Sequence, residues 1–219
     1  MTRVSVVSDL HLEFADCTLP GGEILILAGD IWTVRHMAAH GNPDLRLRYV
    51  RFCQEELSKY SAVLVITGNH ESYGFLWNDM DATLRSFLAA HAPNARLLNN
   101  QIAIVGDTAF LGTPLWATCG VGKPSREMAI GGGMNDFNLI RIKSGDVDEM
   151  ERRFLPRDAN HLHLQAVAWL EQELPQHSKC VVIGHHAPSF KSAGRGDRIL
   201  DPAYCSHQDA LIKAHPQIK

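Results

Sequence analysis

The strongest restriction on the fold of this chain comes from a set of apolar runs, each of which ends in a short polar motif. Three such runs have the length and β-branched character of buried strands: residues 4–7, 24–28 and 63–67. They lead into Ser-Asp-Leu-His (8–11), Gly-Asp (29–30) and Gly-Asn-His-Glu (68–71). A fourth run, 180–184, ends in two histidines. Because a helical pattern near 44–60 separates the second and third runs and another near 76–91 follows, the sequence predicts βαβ crossovers and a largely parallel sheet.

Each run carries Asp, His or Asn side chains to its C-terminal end. Oxygen and nitrogen donors of these types hold divalent transition metals. In open α/β sheets, ligands bind beyond the carboxyl ends of the strands. Packing alone does not explain metal donors at the ends of four strands, so the sequence predicts a metal site at this edge.

The rest of the chain predicts a second sheet and further helices. Three short, closely spaced runs indicate antiparallel strands of that sheet: 96–98, 102–105 and 109–112. Helical spacing appears near 44–60, 76–91, 158–174 and 206–215, with Asp44 and Asp158 as candidate N-caps. A long loop is expected over 113–135. His161 and His163 are two residues apart in a helix and are both expected at the surface.

Composition favours one soluble domain over 1–219, since the chain shows no repeat and no linker. The net charge of -3 argues against a broad nucleic-acid-binding surface. No apolar stretch approaches the roughly 20 residues of a membrane helix. The five cysteines are scattered, which is typical of reduced thiols in a cytoplasmic protein.

The motifs Asp-x-His, Gly-Asp, Gly-Asn-His-Glu and a strand-end His, in this order, resemble the calcineurin-like metallophosphoesterase superfamily. Shorter similarities at 97–100, 110–116 and 185–189 favour a bacterial-type member. The resemblance implies an α/β (α+β) fold: a four-layer αββα sandwich of two mixed sheets flanked by helices. It also implies two divalent transition-metal ions, of which Mn, Fe, Zn and Ni all stay open.

The resemblance also assigns the site residues. Asp9 and His11 are expected to bind the first metal, Asn69 and His185 the second. Asp30 is expected to bridge both ions and, with His70, to serve catalysis. Two roles stay open: Glu71 either orients a histidine or is structural, and His186 is a ligand in place of His185, a substrate contact or structural.

The implied reaction is hydrolysis of a phosphomonoester or phosphodiester by a metal-bridging hydroxide, with His70 assisting the leaving group. A small-molecule or nucleotide substrate is favoured over nucleic acid, and the oligomeric state stays open. Members of the superfamily continue into a strand ending in Gly-His-x-His. That motif does not occur before Lys219, and we expect the last strand or strands of the second sheet to be missing with it. The domain is therefore either truncated at the C-terminus, or the protein works with an incomplete metal shell.

The missing motif keeps an alternative open, a non-catalytic metal-binding or protein-interaction module on the same fold. The presence of His70 favours an enzyme. Three aromatic residues next to the motifs are expected either to wall the pocket or to pack in the core: Trp32, Tyr73 and Trp77. Arg195 and Arg198 are expected either to meet a substrate phosphate or to lie in a solvated loop.

Overall fold

A computed structural model describes residues 3–144, 150–193 and 199–218. The strands are β1 (Val4–Val7), β2 (Gly22–Ala28), β3 (Tyr60–Ile66), β4 (Ala95–Leu97), β5 (Gln101–Val105), β6 (Thr108–Gly112), β7 (Arg141–Ser144), β8 (Met150–Arg153) and β9 (Cys180–Ile183). The α-helices are α1 (Pro43–Arg51), α2 (Trp77–His91), α3 (Pro124–Gly133), α4 (Asp136–Leu139), α5 (Pro156–Glu173) and α6 (Asp209–Ala214). The chain divides into two compact units, Met1–Leu97 with Leu139–Arg153, and Leu98–Asn138 with Phe154–Lys219.

The first unit contains a parallel sheet in the order β1-β2-β3-β4. Val7 pairs with Leu27, and Ala28 pairs with Ile66. The first three strands therefore end at the same edge, which confirms the parallel sheet predicted from the apolar runs. The run predicted at 96–98 for the second sheet instead pairs with β3 as β4. Its Leu97 is buried in the core of the first unit, and this tertiary packing explains why the strand pairs with β3 and not with the second sheet.

Helices α1 and α2 cover the apolar residues of this sheet. The side chain of Asn42 caps α1 by accepting hydrogen bonds from the backbone of Asp44 at 2.9 Å and Leu45 at 3.2 Å. The predicted cap, Asp44, instead lies in the first turn. Pro43 occupies the first helical position, where its missing N–H costs nothing, so the helix begins earlier than predicted.

A hairpin of β7 and β8 also belongs to the first unit. Its first strand bridges Leu76, and the backbone amide of Arg141 donates to Phe75 at 3.4 Å. The hairpin was not predicted, because its residues are mostly charged or polar and form no apolar run.

The second unit contains a mixed sheet in which β6 pairs antiparallel with β5 and parallel with β9. This confirms the predicted second sheet and the strand near 180. The segment 113–135, predicted as a loop, includes α3. The Pro and Gly residues suggested a loop, but Pro124 stands at the start of α3 and the glycines 131–133 at its end, where helices tolerate them.

Helix α5 differs from its prediction at two residues. Asp158 is not the cap but the third helical residue, and its carboxylate accepts the amide of Leu155 at 2.8 Å. His163 is only 3% exposed, on the same helical face as the buried Ala166 and Leu170, so the surface prediction for it was wrong. His161 is exposed, as predicted.

Both units therefore combine parallel or mixed sheets with flanking helices, which is the α/β class that the sequence predicts. Across the described ranges, no helix is both long and apolar enough to cross a bilayer. Arg195 and Arg198 lie outside the described residues. The single domain over 1–219, its C-terminal truncation and a cytoplasmic location stay predictions.

Candidate metal centre

The loops after β1 and β2 are tied together at the C-terminal edge of the parallel sheet. The amide of Asp9 donates to Gly29 at 3.0 Å, and the amide of His11 donates to Asp30 at 3.0 Å. Leu12 extends the pairing by donating to Ile31 at 2.8 Å. These hydrogen bonds hold the Asp-x-His and Gly-Asp motifs side by side.

Three of the predicted site residues have strained backbones. Asp9, His11 and Asp30 adopt φ values of 54°, 44° and 56°. This left-handed region is uncommon for residues with a side chain and costs about 1–3 kcal/mol each. Three of the six non-glycine residues with positive φ in the described chain are thus predicted metal ligands. Such strain persists where the surrounding structure imposes it, typically at functional sites.

Asp30 and His70 meet in this edge region. Asp30 is buried, and its Oδ1 accepts the backbone N–H of His70 at 2.9 Å. Its Oδ2 lies 4.0 Å from the Nε2 of His70. The backbone hydrogen bond therefore places the His70 ring beside the carboxylate that is predicted to bridge two metals.

Glu71 holds the loops that carry these residues. Its side chain is 1% exposed and accepts backbone N–H groups from the loops after β2 and β3. The donors are Gly68 at 2.7 Å, Ile31 at 2.8 Å and Asp30 at 3.0 Å. These contacts favour the structural role for Glu71.

The His70 ring is packed by residues of the first unit. It stacks on Tyr73 at 4.2 Å between ring centroids and meets the His11 ring edge-on at 4.4 Å. Tyr73 also accepts a hydrogen bond from the side-chain amide of Asn69 at 3.0 Å. Tyr73 therefore lies at the site, whereas Trp32 is fully buried in the core.

Glu13 joins this cluster although the sequence analysis did not identify it. Its Oε1 lies 3.4 Å from the Nδ1 of His11 and 3.5 Å from the Nδ1 of His70. Asp9 and His11 are two residues apart, and Glu13 continues that spacing by one step. This continuation is the sequence signal that would have identified it.

The protonation of this cluster reflects its shared hydrogen bonds. Burial opposes ionisation of Glu13, but the hydrogen bonds from His70 and His11 outweigh it and lower the pKa of the Glu13 carboxyl. Burial likewise opposes protonation of His70, but the hydrogen bond to Glu13 and the charge of Asp30 raise the pKa of that imidazole. A carboxylate and a readily protonated imidazole thus stand in contact.

The donor chemistry of the first unit fits a divalent cation. Carboxylate oxygens of Asp9 and Asp30 lie within 4.8 Å of each other, and His11 is in the loop that pairs with Asp30. Carboxylate oxygen and imidazole nitrogen are the donors that Mn, Fe and Zn share. Glu13 Oε2 is also buried without a hydrogen-bond partner in the described part of the chain. Most buried polar atoms have a hydrogen-bond partner, and a bound ion is one explanation for an atom that lacks one.

In the second unit, His185 and His186 follow β9. The ring of His186 packs on Trp116 at 5.0 Å between centroids, and its Nδ1 lies 3.4 Å from the carbonyl of Pro114. Burial and the neighbouring His185 lower the pKa of His186 to about 3, so its ring is neutral. These contacts favour a structural role for His186, and His185 stays the predicted ligand.

Comparison with known proteins agrees with this fold. An uncharacterised protein of Acanthamoeba polyphaga mimivirus is 28% identical over 217 residues, which cover 93% of this chain and 74% of that protein. The crystal structure of the phosphopantetheinyl hydrolase from Mycobacterium tuberculosis superposes with a TM-score of 0.58 at 16% identity. That match covers 97% of this chain and 78% of the hydrolase, and it shows a shared fold.

A family model named for the calcineurin-like phosphoesterases matches residues 2–215. The match spans the four strand-end motifs, nearly the whole chain and both compact units. The chain belongs to the calcineurin-like phosphoesterase family.

Proposed function

We propose that this protein is a metal-dependent phosphoesterase that hydrolyses a small-molecule or nucleotide phosphoester. The observation that carries the proposal is the edge where β1, β2 and β3 end together. That edge gathers the Asp-x-His, Gly-Asp and Gly-Asn-His motifs within a chain of phosphoesterase ancestry. Strained backbones at Asp9, His11 and Asp30 add support, because folding alone does not favour them.

Five residues are proposed to hold two divalent cations: Asp9, His11, Asp30, Asn69 and His185. When bound, such a pair neutralises charge on the phosphoryl oxygens and lowers the pKa of water. Asp30 has two carboxylate oxygens, which suits a residue shared by both ions. Asn69 contributes a neutral oxygen, so it adds no negative charge where the substrate phosphate has to lie.

His70 is proposed to assist the leaving group. Its Nε2 lies on the side of the ring that faces Asp30, while its Nδ1 faces Glu13. A proton on Nε2 is therefore directed toward the proposed reaction centre. General-acid assistance of this type contributes about 10²–10⁴-fold to a rate.

The test is hydrolysis of an aryl phosphomonoester and an aryl phosphodiester with Mn²⁺ added, in wild type, Asp30→Ala and His70→Ala. We expect Asp30→Ala to abolish metal-dependent hydrolysis, since it removes the shared carboxylate. We expect His70→Ala to lower the rate by about 10²–10⁴-fold while metal content stays nearly unchanged. The ratio of the two substrates then separates monoesterase from diesterase.

Two results would contradict this assignment. If His70→Ala removes the bound metal, His70 is a ligand and not the leaving-group residue. If folded wild type hydrolyses neither substrate with Mn²⁺ or another of the candidate metals, the chain is a non-catalytic binding module on the same fold.

A further inference from the structure

We infer that Glu13 is a positioning residue that holds the rings of His11 and His70 in the orientation and tautomer the site requires. This inference rests on the proposed function, because it assigns those rings their tasks. Glu13 acts through the two histidines and is not itself placed on the substrate.

The geometry joins three side chains through one oxygen atom. Glu13 Oε1 lies 3.4 Å from His11 Nδ1 and 3.5 Å from His70 Nδ1. The two imidazole rings stand edge to face with centroids 4.4 Å apart. One carboxylate therefore restrains the predicted metal ligand and the predicted leaving-group residue at the same time.

The chemistry of a carboxylate decides which ring nitrogen carries the proton. An ionised carboxylate only accepts hydrogen bonds, so both histidines have to present Nδ1–H to Glu13. The Nε2 of His11 then keeps a lone pair for a cation. The Nε2 of His70 points toward Asp30 Oδ2, 4.0 Å away. Partners that fix the tautomer of a ligand histidine in this way are a general feature of metal sites.

The buried Oε2 of Glu13, unpaired across the ranges that the structure describes, indicates that this side chain does not serve to stabilise the folded chain. Its side chain is 10% exposed, and Oε2 is buried with no hydrogen-bond partner among the described residues. An ionised oxygen without a donor destabilises the folded chain. A carboxylate selected for stability would have both oxygens satisfied, as Glu71 does with its backbone amides.

The test compares Glu13→Ala and Glu13→Gln in the full chain. Long-range ¹H–¹⁵N spectra of the metal-free protein, recorded where the imidazoles are neutral, report the tautomers of His11 and His70. We expect Nδ1–H in wild type and a shift toward Nε2–H in Glu13→Ala. We also expect Glu13→Ala to lose about 10–100-fold in Mn²⁺ affinity or kcat.

Glu13→Gln is the conservative variant, because its carbonyl oxygen still accepts from Nδ1–H. We expect it to retain wild-type tautomers and more activity than Glu13→Ala. Glu56→Gln is the matched control, since Glu56 is 13% exposed and contacts the Leu19 amide and Lys59. It should leave the tautomers and the Mn²⁺ affinity unchanged. Melting temperatures confirm that every variant is folded.

The outcomes separate this inference from the proposed function. Wild-type tautomers and metal affinity in folded Glu13→Ala would overturn the positioning role, whatever the activity. Tautomers that depend on Glu13 in a protein without hydrolytic activity would support the positioning role and overturn the proposed function.

Discussion

At the residue scale, two carboxylates hold the predicted site in place by accepting hydrogen bonds from its loops and its histidine rings. Glu71 accepts hydrogen bonds from backbone amides of two loops, and Glu13 contacts the imidazoles of His11 and His70. The Asp30 loop keeps its left-handed backbone because Glu71 and the pairing with the His11 loop hold it. Strain at Asp30 is therefore balanced by hydrogen bonds with the loops around it.

We predict that Glu71→Gln destabilises the protein. The new side-chain NH₂ group would face backbone N–H groups that now donate to a carboxylate oxygen, which leaves a buried donor unsatisfied. The expected loss is about 1–3 kcal/mol in the free energy of unfolding. Urea denaturation of the metal-free protein measures it.

The matched control for this prediction is Glu55→Gln. Glu55 is exposed, so its variant should stay within about 0.5 kcal/mol of wild type. Equal stability of Glu71→Gln and Glu55→Gln would show that the carboxylate of Glu71 does not hold the loops.

At the element scale, α5 shows how the register of a helix decides the environment of a histidine. His163 lies on the buried face, and its Nδ1 bonds the carbonyl of Trp116. Its Nε2 lies 3.2 Å from the side-chain nitrogen of Gln208. Burial outweighs the hydrogen bond to Trp116 and lowers the pKa of His163. His161, two residues earlier, faces solvent.

We predict that His163 makes the protein less stable as the pH falls below about 6.5. The unfolded chain protonates near the ordinary pKa of 6.5, whereas the folded chain does so only at lower pH. Over that interval the unfolded state binds more protons, so the free energy of unfolding decreases by up to about 1.4 kcal/mol per pH unit. Above this interval His163 is neutral in both states and adds no pH dependence.

Urea denaturation of wild type and His163→Gln across this pH range is the measurement. The stability advantage of wild type over His163→Gln should shrink as the pH falls. His161→Gln serves as the control and should show the pH dependence of wild type. A wild-type advantage that stays constant with pH would contradict the prediction.

At the scale of the whole molecule, the proposed metal centre links binding to stability. A cation that binds only the folded chain stabilises it by about 2.7 kcal/mol at one hundred times its Kd. For a chain of 219 residues this corresponds to a rise in Tm of about 5–10 °C. The loops that carry Asp9, His11 and Asp30 belong to one compact unit, so the effect is expected in the unfolding of that unit.

We predict that Mn²⁺ raises the Tm of wild type and that a chelator reverses the rise. Asp30→Ala should lose most of the shift, because the shared carboxylate is gone. Differential scanning calorimetry measures both. Glu56→Gln should keep the full shift as the control. The same Tm with chelator and with Mn²⁺ in wild type would contradict a metal centre in the folded protein.

Local pattern was sufficient for the apolar strands that end in motifs and for the motifs themselves. Apolar β-branched runs predicted β1, β2, β3 and β9 within one to three residues. Their alternation with helical spacing predicted the parallel sheet, and the resemblance of the motifs predicted the family that the comparison confirms. The strands and motifs depend on neighbours in sequence, and the parallel direction follows from the order of the elements along the chain, so the sequence alone predicted them.

Tertiary structure decided which distant partner a strand or a side chain contacts. The burial of Leu97 assigned β4 to the first sheet, and the register of α5 buried His163. Glu13 joined the site only because a turn brings it back to His11 and places it against His70. Periodicity indicates which side of an element is apolar, but it holds no information on which distant residue packs there. For this reason the sequence identified the motifs of the site but missed Glu13, the carboxylate that we infer orients His11 and His70.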